Sequence, residues 1–290
     1  MIINKKHTIK NSNAKFSIII PTWNNLTFLI TLVESIRKNS TFEHQIILHI
    51  NDGTDGTLEW ADKQADITYS QSKENIGICK AVNLAGALAY TDYILYINDD
   101  MYVCPNWDKY LWEEIQSIGH NLFFISATMI EFFDTKNPCV IVADFGKTLE
   151  EFDENKLLQD YHLIEKDDWN GSTWPPNVVH KDVWDMVGGY SIEFSPGMYS
   201  DPDFSKKLWE LGVRYYKGLG KSRVYHFGSK SVKRIKKNKG KIAFLNKWGI
   251  PSSLFVKKFL KSGTKFSSIL PDIQVSNSQK VISFFKKLKS

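Results

Sequence analysis

From Lys15 to about Ile130 the chain alternates two periodicities, and that alternation limits its fold more than any other feature. Short apolar runs rich in β-branched and aromatic residues, "KFSIIIPTW", "HQIILHI", "ITYS", "YILYI" and "LFFISATMI", read as strands. Between them lie segments with helical spacing. In "NNLTFLITLVESIRKN", Leu26, Leu29, Ile30, Val33 and Ile36 recur on one face, with an Asn placed to cap the start. "LEWADKQA", "NIGICKAVNLAGALAY" and "PNWDKYLWEEIQSI" supply three more helices, the last with Pro105 near its first turn. Strands separated by helices of these lengths build βαβ units, so the spacing predicts an α/β fold with a mostly parallel central sheet flanked by helices. Such sheets bind ligands beyond the carboxyl ends of their strands. Three polar loops fall there, "PTWNN", "NDGTDGT" and "NDD", and they are expected to converge on one crevice.

The second half is less regular. "TWPPNVVHKDVWDMVGGYSIEF" carries a Pro-Pro turn, a short helix from about Lys181 and a break at Gly188-Gly189. "DPDFSKKLWELG" predicts a helix with Asp201 as N-cap, Pro202 at its first position and Gly212 as C-cap. "VRYYKG" and "SRVYHFG" predict two short strands, the second ending at His226. "KIAFLNKWGIPSSLFVKKFL" and "SNSQKVISFFKKLKS" read as basic amphipathic helices joined by a Ser/Gly/Pro linker. The net charge of +5 is unevenly spread: no acidic residue lies between Glu210 and Asp272, and cations are densest in "KSVKRIKKNKGK". That stretch is either a solvated helical face or a surface for an anionic membrane or ligand. No nucleic-acid-binding motif accompanies it, so nucleic acid is not an expected partner. Cys79, Cys104 and Cys139 are far apart, which fits neither a zinc site nor a disulfide framework and points to a reducing compartment. No apolar signal core opens the chain and no run approaches roughly 18 apolar residues, so a cytoplasmic protein is expected.

Several constellations carry chemistry. Asp99 and Asp100 directly follow a dry strand. Two carboxylates there repel unless a cation or proton lies between them. A hard divalent ion such as Mg2+ or Mn2+ relieves that repulsion with one or two protein carboxylates and completes its shell with water and phosphate oxygens. A solvated Asp-Asp turn is the plain alternative. His226 could be a ligand or a structural hydrogen-bonder. Asp201 could be a cap or a general base. "NIGICKAVN" turns into a helix N-terminus that favours anions, yet it is neither a P-loop nor a dinucleotide fingerprint. There is no GxSxG and no HExxH.

Taken together these segments resemble the family 2 glycosyltransferases of the GT-A fold. "FSIIIPTWNN" matches the family's opening strand and nucleotide-binding turn. "INDGTDGT" resembles "VDDGSTDGT", one residue shorter and with Asn51 for the first Asp. "NIGICKAVN" fits N-x-G-x-x-x-A-x-N, and "YINDD" occupies the place of the metal-binding DxD, which some members write N-x-D. "GGY…YSDPDF" resembles "GGF…EDxDL", with Ser200 in place of the Glu, and "VYHFGSKS" resembles the late H-x-x-x-S. The match is collinear from about Lys15 to Ser231.

The resemblance implies a Rossmann-like GT-A domain with two halves. Residues 15–130 would bind the nucleotide-sugar and 131–231 the acceptor, between a tail at 1–14 and a basic helical C-terminal extension at 232–290. Pro21, Thr22, Asn24 and Asp52 should line the nucleotide pocket, with Asn75, Gly77, Lys80 and Asn83 flanking it and Asn98 and Asp99 near the diphosphate. Asp100 and His226 should hold Mn2+ or Mg2+, and Asp201 matches the catalytic base. Trp174 and Asp203 are assigned to the acceptor, and Trp169 or Trp174 could stack on a sugar or pack in the core. The implied activity is inverting transfer from a nucleotide-sugar donor, a UDP-sugar favoured, to a glycan or lipid-linked acceptor. That activity would serve surface polysaccharide or glycolipid synthesis, with an anionic inner membrane surface as a further partner. The alternatives are a sugar nucleotidyltransferase, for which "PTWNNLTF" lacks a Gly- and Arg-rich phosphate loop, and a non-catalytic nucleotide-sugar or glycan-binding module.

Overall fold

The computed structural model describes residues 2–171, 173–228, 238–279, 283 and 287. Strands β1 (Ile2–Lys6), β2 (Ser17–Trp23), β3 (Gln45–Asn51), β4 (Ile67–Ser72), β5 (Tyr93–Tyr96), β6 (Met101–Val103), β7 (Phe123–Glu131), β8 (Ile141–Val142), β9 (Trp169–Asn170), β10 (Asn177–His180) and β11 (Tyr215–His226) form one sheet. Its main path runs β1-β4-β3-β2-β5-β10-β7-β11-β6. β4, β3, β2, β5, β7 and β11 all point the same way, while β1, β10 and β6 run against them.

Helices α1 (Leu26–Asn39), α2 (Thr57–Asp62) and α4 (Trp107–Ile118) cover one face, and α3 (Ile78–Gly86), α6 (Lys181–Val187) and α7 (Ser200–Glu210) the other. The alternation along β2 shows why: Ile18 and Ile20 pack with Leu29, Val33 and Leu111, while Ile19 packs with Val82, Trp184 and Phe204. A strand buried on both faces needs the continuous apolar run that the sequence carries. A third cluster, with Tyr102, Phe145, Leu157 and Tyr225, fills the space under α5 (Glu154–Asp160).

Four expectations need revision. Residues 2–6 are not a tail: they pair antiparallel with β4 as an edge strand, although only Ile2 and Lys6 are even partly buried. The two expected strands near the end of the catalytic half are one, β11, whose pairing with β7 slips between Leu219 and Arg223. The C-terminal region is not an appendage. Helix α8 (Gly240–Trp248) and the helical turns Ser252–Leu254 and Phe255–Phe259 bury Phe244, Phe255, Phe259 and Leu260 in the same cluster as α7. Asp201 is not the cap of α7; Tyr199 occupies that position in the left-handed region at φ 71°, and Asp201 lies in the first turn. Residues 229–237, with most of the basic run, lie outside the described residues, as do most of 280–290. No helix among the described residues is long and apolar enough to cross a membrane.

Candidate active site

Strand register, more than sequence proximity, assembles the charged centre. After Asp100 the chain turns into β6, whose Met101 pairs with His226 on β11. On the other side of β11, His226 aligns with Glu131 at the end of β7. The imidazole is thus held between two acids: Nε2 is 3.6 Å from Asp100 Oδ2 and Nδ1 is 3.0 Å from Glu131 Oε1. Burial works against a charged ring, but these two hydrogen-bonded carboxylates prevail and raise His226 to about 10. Asp99 and Asp100 are themselves buried, and Asn98 is fixed by Tyr96, whose hydroxyl donates to Oδ1 at 2.8 Å.

Among the described residues no group of three or more His, Cys, Asp or Glu side chains is arranged to hold a metal alone. The donor set still fits a hard divalent ion bound partly by phosphate, since Asp100 offers an oxygen and His226, once the incoming cation displaces its Nε2 proton, a nitrogen to a shared position. Glu131 supplies the orienting partner that a ligating histidine has on its other nitrogen. Glu131 was not anticipated; it ends an apolar strand, and its role shows only once β7 and β11 are aligned.

Asn98, Glu131, His226, Asp201 and Trp174 all line one cavity of about 570 Å³ at the carboxyl edge of the sheet. Asp201 reaches it from the first turn of α7, where Tyr190 donates to its carboxylate at 3.4 Å. Tyr190 is itself locked by stacking on Phe204, with centroids 4.6 Å apart and planes at 5°. Burial pushes the Asp201 carboxyl up from 3.8 to about 7, against the smaller pull of the Tyr190 hydrogen bond. Ser200, which stands where the related motif has an acid, donates instead to the Gly197 carbonyl at 2.6 Å. The opposite wall comes from the 135–138 loop and from Val256, Lys257 and Ser262 of the C-terminal region, which no motif had marked.

The loops after β2 and β3 meet each other, and none of their residues lines this cavity. Asn24, at φ 46°, donates to Asp52 Oδ2 at 3.0 Å and accepts the Gly53 N–H at 3.0 Å, so the two loops brace each other. Asp55 caps α1 by accepting the Leu26 N–H at 2.9 Å, the task expected of the Asn before the helix. Pro21 and Thr22 sit at the end of β2, and the buried Thr22 hydroxyl has no partner among the described residues. Asn75 folds its loop by accepting the Gly77 N–H at 2.9 Å. Gly77, at φ 81°, passes Ser195 and Pro196 so closely that a Cβ would lie 3.1 Å from Ser195. Lys80 is exposed on α3.

Three of the expected positions are engaged by the fold itself. The Asn83 amide accepts the Tyr190 N–H at 2.7 Å and donates to the Tyr190 carbonyl at 2.8 Å, clamping α3 to the turn before α7. Asp203 is fully buried and away from the cavity, accepting from Trp248 Nε1 at 2.7 Å with Lys247 Nζ at 3.0 Å. Trp169 packs against Gly218 and donates to Thr128 Oγ1 at 2.9 Å, so of the two tryptophans only Trp174 lines the Asp201 cavity.

Comparison with solved structures places this architecture among GT-A proteins at low sequence identity. S. aureus TarS aligns with 94% of this chain and 43% of its own at 14% identity and TM-score 0.57. Its fragment 1–349, solved with UDP-GlcNAc, aligns with 74% of this chain and 61% of its own at 17% identity and TM-score 0.53. GalNAc-T7, solved with UDP, GalNAc and Mn2+, aligns with 80% of this chain and 45% of its own at 15% identity and TM-score 0.55. This chain therefore spans about 60% or less of the solved chains it resembles. No curated protein matches it by sequence. The family model described as glycosyl transferase family 2 matches residues 17–167, from the first strand of the braced loops past the acidic turn and the Glu131 strand end. That match takes in more than half of the sequence, and the chain belongs to glycosyl transferase family 2.

Proposed function

We propose that this glycosyltransferase moves a sugar, with inversion, from a nucleoside-diphosphate donor to a hydroxyl of a glycan or lipid-linked acceptor. A UDP-sugar is the favoured donor, in line with the UDP and UDP-GlcNAc bound by the TarS fragment. The reading is carried by Asp201, a carboxyl poised near neutral pH in the wall of the cavity that Asn98 and His226 also line. There it can accept the acceptor hydroxyl proton as the oxygen attacks the anomeric carbon. One displacement inverts that carbon, and no covalent glycosyl-enzyme is needed. Asp100 and His226 are the residues that would hold Mn2+ or Mg2+, with Asn98 beside them. Bound there, the ion supplies Lewis-acid stabilisation of charge on the leaving diphosphate. The braced Asn24–Asp52 loops orient the nucleotide, and the unpartnered Thr22 hydroxyl offers it a donor.

Nucleoside diphosphate release across a panel of nucleotide-sugars, with and without Mn2+, tests the reading. Metal-stimulated release from one donor supports it, whereas donor binding without release under any condition would leave a binding module. A role in surface polysaccharide or glycolipid synthesis on the inner membrane face rests on the basic C-terminal charge. Co-sedimentation equally weak with anionic and neutral liposomes would remove that placement.

A further inference from the structure

A second concavity of about 760 Å³ adjoins the Asp201 cavity, and the two share a wall. Gly263, on the second, meets Pro138, on the first, so closely that a Cβ would lie 2.2 Å from the proline ring. Lys166 ties the same wall together by donating to the carbonyls of Pro138 at 2.7 Å and Val140 at 3.2 Å. Arg223 also lines this second cavity, at the point where β11 slips its register, a bulge of the kind that re-aims a side chain. It is 5% exposed. Nε donates to the Gly220 carbonyl at 2.8 Å and Nη2 to that of Ile164, while Nη1 is buried and has no partner among the described residues.

Among the described residues no carboxylate pairs with this guanidinium. The nearby acids are engaged elsewhere: Asp168 with Lys217 at 3.1 Å and the Gly220 N–H at 2.8 Å, and Asp167 with Lys265 at 3.1 Å. Glu165 is the remaining acid of the cavity, which is also lined by Arg223, Lys166 and the exposed Lys221. A buried cation held only by carbonyl oxygens is poorly compensated for its lost hydration. A planar fork with one free N–H end matches an oxyanion.

We propose that the second cavity is a binding site for a phosphate or carboxylate group, carried by the acceptor as its hydroxyl reaches Asp201 across the shared wall. The oxyanion site stands on its own geometry; its link to the acceptor rests on the glycosyl-transfer reading. Inorganic phosphate is titrated into the isotope-labelled full chain, with and without UDP, and followed by amide resonances. Those of Gly220, Lys221 and Gly263 should saturate together, in the presence of UDP as in its absence. The double variant Lys221→Gln/Lys265→Gln changes only exposed side chains and should weaken phosphate by at least about fivefold, with Arg223→Gln weakening it further. Shifts confined to Gly53 and Gly77, or an unchanged titration in the double variant, overturn the site. The acceptor link is read from KM for a phosphate-bearing acceptor and its neutral counterpart. The double variant should raise only the former, and equal effects on both, or a rate response of the neutral acceptor to free phosphate, overturn that link. If no donor is turned over at all, the glycosyl-transfer reading fails while the phosphate titration still decides the site.

Discussion

Burial raises the Asp201 carboxyl to about 7 even though the Tyr190 hydroxyl favours its charged form. A base with that value is half-ionised near neutrality, so kcat/KM should fall about tenfold per pH unit below about 7 and level off above it. Asp201→Asn should lower kcat by about 10²–10⁴-fold with donor KM unchanged, and lose the pH dependence. A near-normal rate would reduce Asp201 to a helix-terminal acid. Stability carries the same signature. The unfolded carboxyl ionises near its ordinary 3.8, so between about 4 and 7 the folded chain holds the extra proton and stability falls as pH rises. At pH 8, well above that range, Asp201→Asn should be more stable than the wild type by on the order of 4 kcal/mol, with the difference shrinking toward pH 4. Urea denaturation at the two pH values checks this. Thr22 makes a complementary case. Its buried hydroxyl lacks a partner, so Thr22→Val should leave stability unchanged or slightly higher while weakening nucleotide binding by about fivefold. Equal UDP affinity in variant and wild type, by calorimetry, would remove Thr22 from the donor site. Asp201 and Thr22 were marked by the family resemblance, one at a helix start and one at a strand end. Asn83 was marked in the same way, but both ends of its amide are taken by the backbone of Tyr190, 107 residues away.

The elements were legible where a periodicity repeated and hidden where tertiary pairing chose the outcome. β2 to β5 and α1 to α4 each follow their own apolar spacing, so strand ends and their loops could be located. β6 is only three residues long, and β10 is antiparallel between two strands of opposite direction. Nothing local announces either, yet β6 is what lays Asp100 beside His226. Helix α7 shows the same division between local signal and packing. Asp201 and Asp203 lie two residues apart in its first turn, and only the packing of α8 separates their roles. Asp203 is sealed under Trp248 and Lys247, so Asp203→Ala would strand an indole N–H, while Lys247 keeps its second acid, Glu193 at 2.8 Å. That loss should destabilise the fold by about 2 kcal/mol, because the indole N–H loses its buried acceptor. The same variant should change kcat by less than about tenfold once folded, in contrast to Asp201→Asn. A large loss of turnover with unaltered unfolding would put Asp203 in the chemistry.

At the scale of the whole molecule, the C-terminal region decides where the domain ends. Composition made it look like a basic extension, since lysines dominate the count and residues with few acids read as solvated. What composition cannot show is the direction in which its aromatic residues point. Phe244, Phe255, Phe259, Leu260 and Leu270 are all buried in the cluster that supports α6 and α7, while Lys257 and Lys258 of the same turn remain exposed. The region also supplies Val256, Lys257 and Ser262 to the cavity wall opposite Asp201. Each large apolar side chain contributes about 1.5–3 kcal/mol when fully buried. Losing five of them removes on the order of 10 kcal/mol, which is comparable to the whole stability of an ordinary domain. A chain ending at residue 239 should therefore lose cooperative thermal unfolding and near-UV dichroism, although every residue of the family-model match and all of the charged centre remain present. If that shorter chain unfolds cooperatively with native dichroism, the folding unit ends before α8 and the region is an appendage after all. If it fails as expected, the unit that builds the braced Asn24–Asp52 loops also needs the segment that walls the Asp201 cavity, and the two cannot be separated by truncation at residue 239.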